Sequence, residues 1–448
     1  MNRLTATACV ALCAGMANAT PDVICGVLNG VNNYGTVGST RAYSIGTTAC
    51  NAGDTNANWI DNTVNHPVIS TTLFKIEDGR MTQLGVSFVK HSFAALQGNA
   101  CGFGCGAGGH WQALGPGCSD PYGPGLNGNQ TDLGPRFQVN AYTGQYLSPP
   151  AFNGQTGNTI YKRLQVPAAE MLNTPAGTQI VAEGQYVTLD DAQAGNQFNN
   201  ASYRLMGYNS SNGSLSVSGA PATVRETPAI FAWQAHGLGR NQPDASVTIS
   251  QIDVPSEGRF FLASKAVDLG NGTWRYEYGL YNLNSHRSAG SISIPVNTGS
   301  SNYGFNDIEY HSGEPFSATD WTPSDDGSTL TWSTQDFAVN ANANAIRWGT
   351  MYNFWFETDA APTTGDIEVG LFRTGSPSSL TASATVPTAG TTCLADFNNS
   401  GSVNFFDVAD FITAFNNQDP AADIAAPFGA WNFFDVSDYI TAFNVGCP

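Results

Sequence analysis

The sequence predicts a mostly β protein, an antiparallel β-sandwich of one or two domains, that ends in a small all-α module. Three observations support this prediction. Glycine is abundant, with 49 of 448 residues, and it separates short apolar runs, which is typical of many short strands joined by turns. Aromatic residues make up 11% of the chain and supply the buried area that a β core needs. Near the C-terminus the pattern changes abruptly to a duplicated helical repeat.

Two pairs of alternating segments predict β-hairpins. Segments 71–76 and 81–89 flank a turn with Asp-Gly at its centre, which favours a tight two-residue connection. Segments 259–269 and 273–283 flank a Gly-Asn-Gly turn. Within 273–283, large apolar residues occupy every second position, as expected for a strand buried on one face.

The N-terminus predicts export. Arg3 precedes a short apolar stretch over 8–16, and Ala17-Asn18-Ala19 provides a cleavage site of small residues. Residues 1–19 are therefore expected to be a secretory signal peptide. No later stretch approaches the roughly 18 uninterrupted apolar residues of a membrane-spanning helix. The mature chain is expected to be secreted or displayed at the cell surface, with no transmembrane segment.

The charge balance argues against one class of partner. The chain has 17 Lys and Arg residues against 35 Asp and Glu residues, a formal net charge of −18. An acidic surface repels phosphate backbones, so we expect no nucleic-acid partner. The same balance suits cation binding, but it identifies no ligand by itself.

The cysteines fit an oxidising compartment. Nine are present, and removing the two in the predicted signal peptide leaves seven, an odd number. Disulfides are expected between Cys25 and Cys50, and between Cys118 and either Cys105 or Cys101. The alternative is a zinc site made by three thiols and an imidazole: Cys101, Cys105, His110 and Cys118.

Composition and pattern divide the chain into segments. Residues 100–150 form a glycine- and cysteine-rich excursion, which predicts a long loop held by cross-links. The predicted segments are a signal peptide (1–19), a β-rich, loop-rich region (20–221), an antiparallel β-sandwich (222–387), a linker (388–392) and a C-terminal module (393–448). Whether 20–221 is a separate domain stays open at this point.

The C-terminal module contains an internal duplication. Segments 404–416 and 432–444 differ at two positions only and begin 28 residues apart. Each copy has apolar residues at helical spacing, which predicts two amphipathic helices that pack on each other. The predicted stripes are Val408, Phe411, Ile412 and Phe415 in the first copy, and Val436, Tyr439, Ile440 and Phe443 in the second.

A twelve-residue loop precedes the first helix and predicts a calcium site. Oxygen-bearing side chains fall at loop positions 1, 3, 5, 9 and 12, and glycine falls at position 6. This EF-hand-like spacing wraps a hard cation, since alternate residues of a tight loop point inward. The residues expected to bind Ca²⁺ are Asp396, Asn398, Ser400, Ser402 (through its carbonyl), Asn404 and Asp407.

With its duplicated calcium loop and helix, segment 393–448 resembles the type I dockerin. It is most similar to the Gly-Cys subtype that anchors exported bacterial proteins, with Cys393 at its start and Gly446-Cys447-Pro448 at its end. The resemblance implies Ca²⁺ as cofactor, the six ligands above, and docking to a cohesin-like or cell-surface receptor protein. On the helix surfaces, the candidate docking residues are Asp410, Thr413, Asp438 and Thr441.

The second copy departs from the dockerin pattern. Only Asp423, Asn432 and Asp435 remain as oxygen ligands, and the loop is one residue too long. We expect its helix to form and its cation site to be weak or absent. Since dockerins bring their two ends together, the resemblance also implies a Cys393–Cys447 disulfide, with covalent attachment through Cys447 as the alternative.

No family resemblance covers residues 20–387, and no catalytic residue is assigned. The sequence contains no His-Glu-x-x-His, Gly-x-Ser-x-Gly or phosphate-binding lysine loop. The favoured interpretation is therefore a non-catalytic secreted or surface protein. The alternatives are a tethered hydrolase or a lectin acting on polysaccharide, for which Trp111, Trp233 and Trp321 could stack on sugars, although tryptophans in a sandwich more often belong to the core.

Overall fold

The computed structural model describes residues 19–296, 299–388, 393–398, 400 and 402–446. The predicted signal peptide lies outside these residues except for Ala19. The described chain is mostly β with two C-terminal helices, which confirms the predicted fold class. Every strand pairing within it is antiparallel, and no helix in this part of the chain is long and apolar enough to cross a membrane.

The first region, up to residue 221, contains sixteen strands and two short helices. Its strands are β1 (Val23–Val37), β2 (Thr40–Asn51), β3 (Ala57–Asn58), β4 (Val68–Glu77), β5 (Arg80–Val86), β6 (Val89–His91), β7 (Ala113–Leu114), β8 (Ser119–Tyr122), β9 (Leu133–Gly134), β10 (Val139–Asn140), β11 (Gln145–Tyr146), β12 (Leu164–Pro167), β13 (Gln179–Val187), β14 (Ala201–Leu205), β15 (Gly207–Asn209) and β16 (Ser214–Ser216). Its helices are α1 (Pro124–Asn127) and α2 (Leu189–Ala194).

The second region begins with one helical turn and continues as strands. Its elements are α3 (Phe231–His236), β17 (Thr248–Val254), β18 (Gly258–Asp268), β19 (Trp274–Asn282), β20 (Ala289–Pro295), β21 (Ser301–Asn306), β22 (Thr322–Asp325), β23 (Thr329–Ser333), β24 (Thr350–Thr358), β25 (Pro362–Leu371) and β26 (Ser379–Pro387). The C-terminal helices are α4 (Phe405–Asn416) and α5 (Phe433–Val445).

Both predicted hairpins are present. β4 and β5 pair from Thr72–Val86 to Glu77–Arg80. The two residues of the turn between them, Asp78 and Gly79, have positive φ values of 50° and 75°. That left-handed backbone matches the twist of the flanking strands, and it explains the Asp-Gly pair. β18 and β19 pair from Phe260–Asn282 to Asp268–Trp274.

The four larger sheets of the described chain have four to six strands each. Sheet 1 has the order β1-β2-β12 with β8 on β2, and sheet 2 has the order β14-β13-β4-β6-β9 with β5 on β4. Sheet 3 has the order β17-β18-β19-β24-β21, and sheet 4 has the order β22-β23-β20-β25-β26. Sheets 3 and 4 are the sandwich that the second region was predicted to form.

Three apolar layers separate the four sheets. Sheets 1 and 2 enclose one cluster, which includes Tyr43 and Leu73. Sheets 3 and 4 enclose another, which includes Phe260 and Trp332. A third cluster lies between sheets 2 and 3 and joins residues from both predicted regions. The two central sheets are therefore buried on both faces, and their strands read as nearly continuous buried runs.

Several polar residues inside the central layer form hydrogen bonds across it. The side-chain amide of Gln83 donates to the carbonyl of Gly349 at 3.0 Å and accepts from the backbone N–H of Met351 at 2.6 Å. The buried carboxyl of Glu183 accepts from the Tyr281 hydroxyl at 2.7 Å and from the Ala229 N–H at 2.6 Å. Burial raises the pKa of Glu183 to about 7 despite these hydrogen bonds.

The disulfides correct one prediction. Cys105 pairs with Cys118, which is one of the two pairings offered for Cys118, but Cys50 pairs with Cys101 rather than with Cys25. Cys50 lies opposite Ile24 in the β1–β2 ladder, so the neighbouring Cys25 points to the other sheet face. Cys25 is a buried free thiol.

The raised pKa of Glu183 predicts a pH dependence of stability. Between about pH 4.5 and 7 the folded chain keeps a proton that the unfolded chain has released, so the free energy of unfolding falls as pH rises through this window. Glu183→Gln cannot ionise, and we expect it to remove on the order of 2 kcal/mol of that fall between pH 5 and 8. Urea unfolding at several pH values measures the effect.

The matched control is Glu368→Gln, because Glu368 is exposed on β25. It should keep the pH dependence of the wild type. A Glu183→Gln variant whose stability follows pH as steeply as that of the wild type would show that Glu183 is not the proton-binding group.

Candidate metal centre and docking module

Both C-terminal helices begin with the same cap. Asn404 accepts a hydrogen bond from the Phe406 N–H at 2.8 Å, and Asp407 accepts one from the Asn404 N–H at 2.8 Å. The second copy repeats this arrangement at Asn432 and Asp435. Such reciprocal capping boxes satisfy amides that a helix start leaves unpaired, which is why both copies start a helix here.

The first loop brings two predicted ligands together. The side chain of Asp396 lies within hydrogen-bonding reach of the Asp407 carboxyl, and both residues are buried. Burial opposes ionisation of Asp407, but amide hydrogen bonds from Asn404 and Asn398 hold its pKa below the ordinary value. Two carboxylates thus converge at the point where the loop meets α4.

The other predicted ligands surround this pair. Ser400 donates its N–H to Asp396 at 2.9 Å and to the Asn398 side-chain oxygen at 3.0 Å. The Ser402 carbonyl accepts from the Asn404 side-chain amide at 2.7 Å. The Asn404 side-chain oxygen caps α4, so a contact from this position to a cation would require another atom or a water. Gly401, at the predicted sharp turn, lies outside the described residues.

The donor set fits a hard cation. It consists of two carboxylates with amide, hydroxyl and carbonyl oxygens, which is what Ca²⁺ prefers. Within the described residues no group of three or more His, Cys, Asp and Glu side chains could hold a metal, so neutral oxygens must supply most ligands. Segment 393–448 contains seven Asp residues and no Lys, Arg or His, so no side chain of its own can neutralise the pair.

The second loop is arranged differently. Asp435 accepts from the backbone N–H groups of Ile424 and Ala425, each at 2.9 Å, in addition to its capping bond. The Asn432 amide contributes most to a lowered pKa of Asp435. Asp423 accepts a hydrogen bond from the Gly429 N–H. Backbone amides bond to Asp435 much as they do to Asp407, but no second carboxylate is among the groups that hydrogen-bond to Asp435.

The helices meet at equivalent positions of the repeat. The rings of Phe411 and Tyr439 stack with centroids 3.9 Å apart and an interplanar angle of 3°. Phe397, from the first loop, stands edge-on to both rings, at 5.4 and 6.0 Å. The predicted apolar stripes therefore face each other, with this aromatic cluster as the centre of the module.

Beside the stacked rings of Phe411 and Tyr439, which also line it, the two helices leave an apolar groove. Its volume is about 160 Å³, and all eight lining residues are apolar or aromatic: Val408, Phe411, Ile412, Phe415, Val436, Tyr439, Ile440 and Phe443. Ile412 and Ile440 are 51% and 53% exposed. These eight residues are the two predicted stripes, which pack on each other as expected but leave an open groove that the helical spacing did not predict.

Further exposed residues surround the groove. The predicted docking residues Asp410, Thr413, Asp438 and Thr441 are all exposed. Two phenylalanine pairs at the helix starts are between 59% and 76% exposed, and the sequence analysis did not single them out: Phe405, Phe406, Phe433 and Phe434. Their exposure could have been predicted, because the first two positions of each helix lie outside the apolar stripe that faces the partner helix.

The structure also bears on the predicted zinc alternative, the three candidate sugar-stacking tryptophans and the Cys393–Cys447 disulfide. Three thiols of the zinc alternative are used in disulfides, so that site with His110 does not form. Trp233 and Trp321 are buried in the core, whereas Trp111 is 63% exposed. Cys393 is disulfide-bonded, and its predicted partner Cys447 lies outside the described residues.

Comparisons with known proteins add no family. No family model matches the chain, and no curated protein matches it either. One solved structure that it resembles is a serine-rich repeat adhesion glycoprotein from Streptococcus agalactiae, with 11% identity, a TM-score of 0.20 and coverage of 85% of this chain and 100% of that one. A TM-score this low supports no conclusion about fold or function.

The first loop predicts selective loss of calcium binding on substitution. We expect Asp407→Asn to weaken Ca²⁺ binding at least about tenfold, because it removes one of two converging carboxylates. Calorimetric titration of the full chain with CaCl₂ measures it. Asp410→Asn, an equal charge change on an exposed residue of the same helix, is the control and should bind like the wild type. Equal affinities in the two variants would contradict the site.

Proposed function

We propose that this protein is secreted or held at the cell surface by a calcium-ordered, dockerin-like C-terminal module that docks to a cohesin-like or other surface receptor protein. The meeting of Asp396 and Asp407, in a segment without a basic residue, carries the proposal. Export is supported by the Cys50–Cys101 and Cys105–Cys118 disulfides, which are typical of oxidising compartments.

The first loop connects the cation site to the groove. Phe397 lies between two predicted ligands, Asp396 and Asn398, and its ring packs against both Phe411 and Tyr439. A cation that fixes the loop therefore also fixes Phe397 against the stacked pair. Metal binding and folding are coupled in small modules of this kind. Calcium is proposed to set the shape of the groove without touching it.

The groove and its surroundings specify the chemistry of the partner. Its lining is apolar, so burying it favours an apolar ridge on the receptor. Asp410 and Asp438 are exposed on the same helices, and the segment has no cationic side chain. A second copy of the module would bring like charges together. The partner that fits is a protein surface with an apolar ridge flanked by Lys and Arg residues.

Substitutions in the groove test the docking role. Ile412→Asp and Ile440→Asp should each weaken capture by a purified cohesin-like receptor at least about tenfold, because a carboxylate would be desolvated in an apolar contact. Surface plasmon resonance of the full chain against a panel of type I cohesin domains, with and without Ca²⁺, measures this. Association should slow with added salt if the partner is basic.

The matched control is Phe428→Asp, which places the same charge on an exposed apolar residue outside the groove. Circular dichroism establishes that all three variants are helical. Receptor capture that is unchanged by EDTA would contradict the role of calcium. Receptor capture that is unchanged by Ile412→Asp would contradict docking through the groove. A glycan panel run in parallel detects the alternative, since retention or turnover of polysaccharide would assign the activity to the β region.

A further inference from the structure

Two histidines far apart in sequence meet in the β region. His66 precedes β4 and His91 ends β6, and the β4–β6 ladder pairs Val68 with His91. This register places Nε2 of His66 3.0 Å from Nδ1 of His91. Nothing in the sequence marks the pair, because 25 residues and a hairpin separate the two side chains.

Surrounding groups hold both rings. The Tyr146 ring packs against each imidazole with centroids 5.3 Å apart, and its hydroxyl bonds to the His66 carbonyl. Nδ1 of His66 is buried and faces the carbonyls of Ile60 and Thr63, without a hydrogen bond of good geometry. The Nε2 atom of His66 is thereby turned toward His91, and backbone carbonyls near the other ring nitrogen are the kind of group that surrounds metal-ligating histidines.

The pair lines an open cleft. The cleft has a volume of about 470 Å³, and its charged members besides the histidines are Asp61, Lys90 and Asp132. Lys90 and Asp132 form an ion pair with a distance of 2.8 Å. At Gly134 a Cβ atom would lie 2.6 Å from Nε2 of His91, so glycine leaves room beside this ring. His91 is partly exposed whereas His66 is buried, so an ion would approach the pair from the His91 side of the cleft.

Both imidazoles are neutral at physiological pH. Burial lowers the pKa of His66 to about 4, and burial together with the neighbouring His66 and Lys90 lowers the pKa of His91 to about 3. Asp61 and Asp132 act in the opposite direction, but burial dominates. Neutral imidazole is the form that ligates metal ions, so binding would not require a proton to be removed from a charged ring.

We propose that His66 and His91 form a binding site for a divalent transition metal ion of the Zn²⁺ class, with solvent molecules in the cleft completing the coordination. Two Zn–N bonds of about 2.0–2.1 Å at a tetrahedral angle place the two nitrogens about 3.3 Å apart. The observed separation of 3.0 Å differs from this by only about 0.3 Å. The competing state is a hydrogen bond in which one of the two facing nitrogens carries its ring's N–H proton; when the metal ion binds, that proton moves through solvent to the other nitrogen of the same ring, so both rings stay neutral.

The test uses the full chain in excess Ca²⁺, so that the C-terminal loop is already saturated. Calorimetric titration with ZnCl₂ should show one site per chain, and His91→Gln or His66→Gln should weaken it at least about tenfold. His110→Gln is the matched control, because His110 is exposed and does not line the cleft. Asp407→Asn should leave Zn²⁺ binding unchanged, which separates this site from the calcium module.

The unsubstituted protein provides an independent readout if a variant fails to fold. Electron paramagnetic resonance with one equivalent of Cu²⁺ should show coupling to two imidazole nitrogens. Absence of Zn²⁺ binding by the wild type, unchanged binding in His91→Gln, or a Cu²⁺ spectrum without nitrogen coupling would each overturn the proposal. In the first case the two nitrogens are joined only by a hydrogen bond.

Discussion

Burial of the two central sheets on both faces is the constraint on which the fold depends. A polar group left unpaired in a strand with no exposed face costs about 1–3 kcal/mol. Several polar side chains in these strands accordingly find partners across the layer, as Gln83 does with the β24 segment and Glu183 does with Tyr281. These hydrogen bonds fix how sheets 2 and 3 face each other. They join the regions 20–221 and 222–387, which the sequence pattern divides, into one stack of sheets.

The C-terminal module is limited in a different way, because it is too small to bury a large apolar core. Its core is one aromatic stack, Phe411 on Tyr439, with Phe397 against both. Duplication supplied two identical starts, each with a capping box, and the loops then diverged. Backbone amides bond to Asp407 and to Asp435 alike, but a second aspartate, Asp396, lies within hydrogen-bonding reach of Asp407, whereas the groups that bond to Asp435 include no carboxylate. The proposal of a single functional calcium site rests on that difference.

Local chemistry explains which predictions succeeded. The Asp78-Gly79 turn and the capped helices were readable because each depends on neighbouring residues, and the alternation in β19 showed a buried face. Features set by long-range register were not readable. Cys50 joins Cys101 because the β1–β2 ladder turns Cys25 to the opposite face, and His66 meets His91 only through strand pairing. The groove was not predicted, because helical periodicity identifies an apolar stripe but not how closely two stripes approach.

The lone thiol of Cys25 has a consequence for covalent chemistry. It is enclosed between sheets 1 and 2, where an added atom at Gly184 would lie 2.9 Å from its sulfur, and burial raises its pKa well above the ordinary range. Exchange requires a thiolate with access to another sulfur. The native chain can thus carry an odd cysteine through an oxidising environment without cross-linking to its neighbours. Disulfide exchange with Cys25 is confined to the time before β1 packs against sheet 2. Wrongly paired disulfides would therefore form during slow folding and not in the folded protein.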